Sequence, residues 1–212
     1  MTNAKYAKLT TRLIFVWFLF SLTASALHIF NTDPAQPPIP LGLAVLIPIG
    51  IFAIWSAVSQ PFRQFLLSLN PVTLTFVQAW RIAGFVMVVL YAYNILPGNF
   101  ALPAGWGDIA IGATAPLVAL KLANPQHRKS FIFWQLLGIA DLVNAVGMGV
   151  AARFIDPHGI STSAMTVLPM SMIPTFGVPL FLILHFISIA QARQWQEQPY
   201  PGVAEPLQSS GL

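Results

Sequence analysis

The chain has 212 residues, of which 10 are Lys or Arg and 6 are Asp or Glu, so 8% are charged while 56% are hydrophobic. An ordinary soluble domain carries about 25% charged residues, and a surface with so few charges is poorly soluble in water. The composition therefore excludes a soluble globular domain, a disordered chain and a nucleic-acid-binding protein. The absence of Cys excludes disulfides and thiolate metal sites.

Six apolar stretches are long enough to cross a bilayer, which takes roughly 20 mainly apolar residues. Pro, Gly and Asn interrupt the chain between them, and none shows the period-2 alternation of a barrel strand, which disfavours a β-barrel. The sequence therefore predicts an all-α, multi-pass membrane protein with short loops. The predicted spans are residues 13–30, 41–59, 72–96, 104–123, 131–154 and 167–190.

Basic residues predict the orientation of these spans, because cytoplasmic loops carry an excess of Lys and Arg. With the N-terminus inside, the outer segments carry only Arg153. The inner segments carry Lys5, Lys8, Arg12, Arg63, Lys121, Arg128, Lys129 and Arg193. We therefore expect both termini to be cytoplasmic and the protein to lie in a bacterial cytoplasmic membrane.

The predicted organisation is a basic segment at 1–12, one six-helix membrane domain at 13–192 and a flexible cytoplasmic tail at 193–212. Residues 61–70 are expected to form a short interfacial helix before the third span. An alternative concerns the first span, because Ala24-Ser25-Ala26 has the small-x-small form of a signal cleavage site. Apolar residues continue to Phe30, which favours retention of this span.

Three ionisable residues, Arg81, Asp108 and Asp141, lie inside predicted spans, where charge is costly and marks a bundle interior or a cavity. At 1.5 Å per residue, Arg81 and Asp141 lie roughly 14–15 Å from the inner side. Asp108 is predicted only about 6 Å from the outer side, so its pairing with Arg81 is less secure than that of Asp141. Gln78 shares the helix face of Arg81, and Asn144 shares that of Asp141.

Small residues indicate which faces pack together, since they let membrane helices approach closely. Gly138, Ala145 and Gly149 line the fifth span beside Asp141, and Gly84 lies one turn beyond Arg81. The third, fourth and fifth spans are thus predicted to meet around the ionisable residues. Two interpretations stay open: a buried ion pair that sets helix register, or a site for a polar ligand or a proton. The small residues of the fourth span form one stripe along the helix that includes Asp108, so this carboxylate is predicted to face another helix. The stripe consists of Ala104, Asp108, Gly112, Ala115 and Ala119.

The last span contains Pro169, Pro174 and Pro179, and Pro removes a backbone hydrogen bond and kinks a helix. Together with Gly177, Pro174 and Pro179 predict a broken or bent helix near the membrane midplane. Such breaks persist only where protein or water satisfies the freed carbonyls, here those of Met170 and Thr175. In transporters, broken helices often form the substrate or ion site.

His185, near the inner end of the last span, is predicted at the depth of Gln135 and within its reach. Because His185 and His28 lie toward opposite sides and neither has a second His on its own helix, we expect no haem or metal centre and no cofactor. The aromatic segment 97–106 is predicted to be an outer loop, either an interfacial anchor or a lid over an outward-facing pocket.

Three functions remain in competition. The first is transport or binding of a small polar or anionic solute, coupled to protons, with Arg81 holding the anionic group and Asp108 or Asp141 carrying the proton. The second is a non-catalytic subunit or assembly factor of a membrane complex, with another membrane protein as partner. The third is a membrane enzyme acting on a lipid-like substrate, for which no nucleophile–base spacing is found, so the sequence leans against catalysis. The lipid bilayer surrounds the protein in each case.

Overall fold

The structure is a computed structural model that describes residues 3–32, 38–156 and 158–195. Within those ranges the chain is helical and contains no strand, as predicted. Most of the predicted tail, residues 196–212, lies outside the described residues. The α-helices are α1 (Asn3–Ala26), α2 (Ile39–Val58), α3 (Gln60–Leu67), α4 (Pro71–Val77), α5 (Phe85–Ala92), α6 (Gly98–Lys121), α7 (Arg128–Ile155) and α8 (Val178–Gln194).

Helix starts follow local sequence signals. The Asn70 side chain accepts hydrogen bonds from the backbone N–H groups of Val72 (2.8 Å) and Thr73 (3.3 Å) at the start of α4. Ser59 does the same for Phe62 at the start of α3. Both helices have Pro in the first turn, where the missing N–H costs nothing. These caps separate α2, α3 and α4 without any long loop.

Among the described residues, five helical segments are long and apolar enough to cross a membrane: Asn3–Ala26, Ile39–Val58, Pro71–Ala92, Pro125–Ala152 and Ile173–Gln194. α6 has 24 residues but is not among them. It is rich in Gly, Ala and Pro, and many of these small residues are buried against neighbouring helices. Its composition therefore reflects contact with protein, and this helix, the predicted fourth span, is less apolar than the five segments named above.

One predicted boundary was wrong. α6 begins at Gly98, so residues 98–106 are helical and do not form an outer loop or lid. Small and Pro residues suggested a non-helical segment there, but Pro103 is accommodated inside α6. α1 begins at Asn3, so the helix extends through most of the predicted basic segment. The predicted short helix at 61–70 is present as α3.

α6 lies at the centre of the bundle. It packs against α4, α5 and the 3₁₀ segment between them on one side and against α7 on the other. A Cβ at Gly112 would collide with the backbone of Ile82, and one at Gly105 would meet Val88 and the Gly84 carbonyl. Small residues thus bring α6 into backbone contact with the third span, as the predicted stripe indicated.

An aromatic cluster ties α3 to the end of the bundle that holds Asn3, Lys121 and Gln194, which we call the inner end after the predicted orientation. Trp55 stacks on Phe62 with ring centroids 3.8 Å apart, and Tyr6 lies 5.8 Å from Phe65. The buried Gln191 of α8 donates hydrogen bonds to the carbonyls of Leu66 and Leu69. α3 is therefore anchored to α1, α2 and α8.

The last predicted span has an altered helix in place of a full break. Residues 163–172 are a 3₁₀ turn and bends, the chain widens into a π-turn at Ile173–Gly177, and α8 follows. The carbonyl of Thr175, which Pro179 was predicted to free, accepts hydrogen bonds from Trp17 Nε1 (3.2 Å) and Ser21 Oγ (3.3 Å) of α1. α1 thereby satisfies the polar group that the proline exposes.

This capping predicts that the double variant Trp17→Phe/Ser21→Ala lowers the unfolding free energy by about 1–3 kcal/mol, because it leaves a buried carbonyl without a donor. Phe retains aromatic packing against Phe176, whose ring lies 4.8 Å from Trp17. The measurement is denaturant unfolding of the purified protein in mild detergent. Ser56→Ala, which removes only a local bond to Ala53, is the control. Equal stability of the double variant and wild type would refute this role of α1.

Candidate functional site

Arg81 lies in the middle of the bundle and is only 2% exposed. It belongs to a 3₁₀ segment, Gln78–Gly84, that interrupts the span Pro71–Ala92. A 3₁₀ stretch inside a longer helix often marks a hinge or a strained site. The tighter winding accompanies the very close approach of α6 at Gly112.

Both predicted carboxylates reach the guanidinium. Arg81 Nε donates to Asp108 Oδ1 at 2.7 Å, and Arg81 Nη2 donates to Asp141 Oδ2. The two ion pairs join the third span to α6 and to α7. We refer to Arg81, Asp108, Asp141 and His185 as the polar cluster.

The predicted depth of Asp108 was wrong, and the pairing with Arg81 was correspondingly underestimated. Because α6 begins at Gly98, Asp108 lies ten residues into the helix, about 15 Å from its start. Arg81 lies ten residues into Pro71–Ala92, also about 15 Å. Each residue thus lies near the middle of its helix, and the two side chains meet at the same level of the bundle.

The second amino group of Arg81 is also occupied. Nη1 donates to the Gly138 carbonyl at 3.3 Å and lies 3.2 Å from His185 Nε2. A guanidinium has five N–H donors, and four of those of Arg81 have partners within the chain. Arg81 therefore has little capacity left for an anionic ligand in this conformation.

His185 extends the cluster toward the inner end of the bundle. Its Nδ1 contacts Gln135 Oε1, as predicted, and Gln135 Nε2 donates to Thr75 Oγ1 at 3.3 Å. Because Nε2 faces a donor on Arg81 and Nδ1 faces a carbonyl oxygen, the hydrogen bonds fit a neutral imidazole with its proton on Nδ1. The Trp134 ring lies 5.8 Å from the imidazole. Thr75 and Trp134 were not identified from the sequence.

Glycines provide the space for these side chains. A Cβ at Gly84 would collide with Asp108, one at Gly107 with Asp141, and one at Gly138 with His185. Gly84 and Gly138 belonged to predicted small faces, whereas Gly107 was missed. The signal that could have identified Gly107 was its position directly before Asp108. There it lies on the side of α6 that faces Asp141 of α7.

The carboxylates and the guanidinium differ in exposure. The Arg81 side chain is 1% exposed, while those of Asp108 and Asp141 are each 13% exposed. Part of each carboxylate therefore lies at the surface of the described bundle, whereas the guanidinium is enclosed.

Other predicted site residues lie near the cluster or outside it. Gln78 is buried and donates to the Phe181 carbonyl at 3.3 Å, while its Oε1 is buried without a hydrogen-bond partner among the described residues. Asn144 is exposed on the outside of α7, so the structure does not bring it into the cluster. Pro174 and Gly177 belong to the π-turn, and Pro179 lies in the first turn of α8.

A cavity of about 260 Å³ lies nearer the outer end of the bundle, the end where α1 finishes and α2 begins. Ala145 lines it and follows Asp141 by one turn of α7, and Val178 lines it two turns before His185 in α8. Leu142 and Leu182 are buried between these levels. The polar cluster thus lies beneath the floor of the cavity and not within it.

No group of three or more His, Cys, Asp or Glu residues with metal-binding geometry occurs in the described parts of the chain. The polar cluster contains one His and two Asp, but all three contact Arg81. A cation at the cluster would have to compete with that guanidinium.

Residues 36–193 match the family model described as a domain of unknown function, DUF8737. The chain belongs to the DUF8737 family. The DUF8737 match begins just before α2 and ends one residue before the end of α8. It therefore includes the whole polar cluster and every described cavity-lining residue except Thr32, while α1 lies before it. No curated protein and no solved structure matches the chain.

The glycine contacts predict that Gly107→Ala destabilises the protein by about 1–3 kcal/mol, the usual cost of overpacking. The added methyl group has to displace the Asp141 carboxylate from its position beside Arg81. Gly147→Ala in α7, where a Cβ meets no atom within 4 Å, is the matched control and should be neutral or slightly stabilising. Denaturant unfolding in detergent provides the measurement, and equal effects of the two substitutions would contradict the packing described here.

Proposed function

We propose that this DUF8737 protein crosses a bacterial cytoplasmic membrane six times, with α6 as the fourth span and both termini in the cytoplasm. The proposal is supported by the position of α6 between two helices that are themselves apolar enough to span. It is also supported by the excess of basic residues at the inner end, where Arg128 reaches the Arg193 carbonyl.

The absence of Cys from the chain makes this topology directly testable. Tyr93→Cys, before α6, should react with a membrane-impermeant maleimide from the periplasmic side of intact cells. Gln126→Cys, after α6, should react only once the membrane is opened, because α6 carries the chain across. Both positions are exposed. Labelling of both variants from the same side would show that α6 does not span.

We further propose that the protein binds and transports a small solute in a proton-coupled manner, with the proton held by the Asp108–Asp141 pair. The observation that carries this proposal is the contact of one buried guanidinium with two carboxylates. With both carboxylates ionised, the cluster has a net charge of −1, and uncompensated charge within a bilayer is costly. One proton shared by the two carboxylates removes that charge.

This arrangement assigns Arg81 a different role from anion binding. Since four of its donors are occupied within the chain, we infer that Arg81 holds the two carboxylates at the α6–α7 contact. A proton on Asp141 removes the charge from its bond to Arg81 Nη2 and weakens that bond. The contact between Gly107 of α6 and Asp141 of α7 is then the part of the bundle that is free to loosen.

Two irregular helical segments are suited to transmit this change to the cavity. The 3₁₀ segment that carries Arg81 ends at Gly84, and Met87, one turn later, lines the cavity. The π-turn at Ile173–Gly177 places Ile173 and Pro174 in the cavity wall, and α8 continues from it to His185. Such segments often occur at functional hinges.

A second candidate is a structural role, in which the protein is a non-catalytic subunit and the cluster only fixes helix register. The near-complete satisfaction of Arg81 favours it, because buried polar networks that are fully paired specify packing. The two candidates differ in whether the carboxylates exchange a proton across the physiological pH range.

The proton is best detected by infrared difference spectroscopy of the protein reconstituted in lipid, through the carbonyl band of a protonated carboxyl group during a pH titration. Wild type should show a pH-dependent band that is lost in Asp108→Asn/Asp141→Asn. Asn retains an oxygen that accepts from Arg81, so these variants should stay folded. Asp156→Asn, at an exposed carboxylate beyond the end of α7, should retain the band.

The outcomes separate the two candidates. Loss of the band in the double variant with retention in Asp156→Asn supports a proton-carrying pair. A band that persists in the folded double variant would refute it. The complete absence of a pH-dependent carboxyl band in wild type would favour the structural role.

A further inference from the structure

The outer cavity differs in chemistry from the polar cluster and is not used by the proton step. Its deeper wall consists of apolar side chains from four elements, among them Val45, Met87, Phe100 and Val178. Phe100, which was predicted in a loop, is helical and contributes to this wall. These four residues are buried, so this part of the cavity suits an apolar group.

Hydroxyl groups line the other side of the cavity. Ser161 and Ser163 are exposed there, and Ser161 Oγ donates to Ser163 Oγ at 2.8 Å. The hydroxyl-bearing lining residues are Thr32, Ser161, Thr162, Ser163 and Thr166. The cavity lining among the described residues contains no charged side chain. Hydroxyl groups both donate and accept hydrogen bonds, which suits a neutral polar group.

The cavity opens sideways, between α2 and α7. Ile39 of α2 lines it and is also 62% exposed, and Val146 and Val150 of α7 line it and are exposed on the outside of the bundle. α2 packs on α8 and the π-turn, and Val45 of α2 shares a buried cluster with Leu142 of α7. The opening therefore lies above that contact, on the side of the two exposed valines. In the proposed orientation this opening faces the outer half of the hydrocarbon layer, with the hydroxyl groups close to the membrane surface.

We propose that this cavity is a binding site for a small amphipathic molecule with a neutral, hydrogen-bonding head group and an apolar chain, which enters from the membrane between α2 and α7. The chain occupies the space beside Val45 and Met87, and the head group lies among Ser161, Ser163 and Thr166. A cavity of about 260 Å³ is below the roughly 300–1,000 Å³ of drug-sized sites. The ligand is therefore small, in the range of a single medium-length chain.

The amphipathic molecule is the substrate class of the transport proposed above. Only its movement across the membrane rests on that proposal. Binding is measurable without any proton movement, so the two proposals fail separately. A protein that binds the amphipathic probe but shows no exchangeable carboxyl proton keeps the binding site and loses the coupling.

The test is photolabelling of the reconstituted protein by octanol that carries a diazirine near the end of its chain, with the labelled residues located by mass spectrometry. We expect labels on cavity residues such as Val45, Met87 and Met165 above the level on the exposed faces of α1. Excess octanol should remove these labels, whereas octanoate and octane should compete at least tenfold less well. The carboxylate of octanoate finds no counterion among the described lining residues, and octane has no head group that can form hydrogen bonds.

Two pairs of variants provide matched controls. Gly42→Leu and Gly149→Leu add a side chain at positions that line the cavity. Gly42 has no atom within 4 Å of an added Cβ, and Gly149 has only ordinary contacts with Phe100. Gly50→Leu in α2 and Gly147→Leu in α7 add the same side chain into open space outside the cavity lining. Cavity labelling should fall at least tenfold in the first pair and stay at the wild-type level in the second.

Three results would overturn the proposal. One is equal labelling of the cavity in the folded Gly42→Leu and Gly149→Leu variants and in wild type. Another is labelling spread evenly over the lipid-exposed faces, which indicates partition into the bilayer only. The third is competition by octanoate as strong as that by octanol, which contradicts a neutral head group.

Discussion

The bundle depends on a single guanidinium that joins its own span to three other helices. Arg81 contacts Asp108 of α6, Asp141 of α7 and, through Nη1, the Gly138 carbonyl of α7 and His185 of α8. Loss of one partner from a buried ion pair typically costs about 3–5 kcal/mol, because the remaining charge has no compensation. In the described part of the chain, salt bridges occur only at Arg81, so the relative positions of the third span, α6, α7 and α8 are constrained here.

The glycines and the ionic contacts are parts of the same arrangement. A buried guanidinium with four protein partners requires short distances between helix backbones, and Gly84, Gly107, Gly112 and Gly138 permit them. As a result α6 is rich in Gly, Ala and Pro and is less apolar than the five segments that are long and apolar enough to cross a membrane. Many of its small residues are buried against neighbouring helices, whereas α2 has a single buried residue and an apolar surface on most sides.

The sequence predicted much of the candidate site because charge inside an apolar span is rare and costly. Arg81, Asp108 and Asp141 were identified on that ground alone, and the His185–Gln135 contact followed from depth. The contact of His185 with Arg81 was not predicted, because depth along a helix does not give its rotation. Asn144 shares a face with Asp141 by spacing, yet it lies outside the cluster because the packed face of α7 is narrower than the spacing rule assumes.

By itself, the sequence determined the helical class, five helices apolar enough to cross a membrane and the three ionisable residues, since each depends on composition or on spacing along one helix. Only the tertiary structure decided that one Arg81 serves both carboxylates, that α1 caps the Thr175 carbonyl, and that an amphipathic cavity lies above the cluster. These features depend on the rotation and separation of neighbouring helices. Hydrophobicity specifies neither inside a membrane, because lipid and protein interiors are similarly apolar.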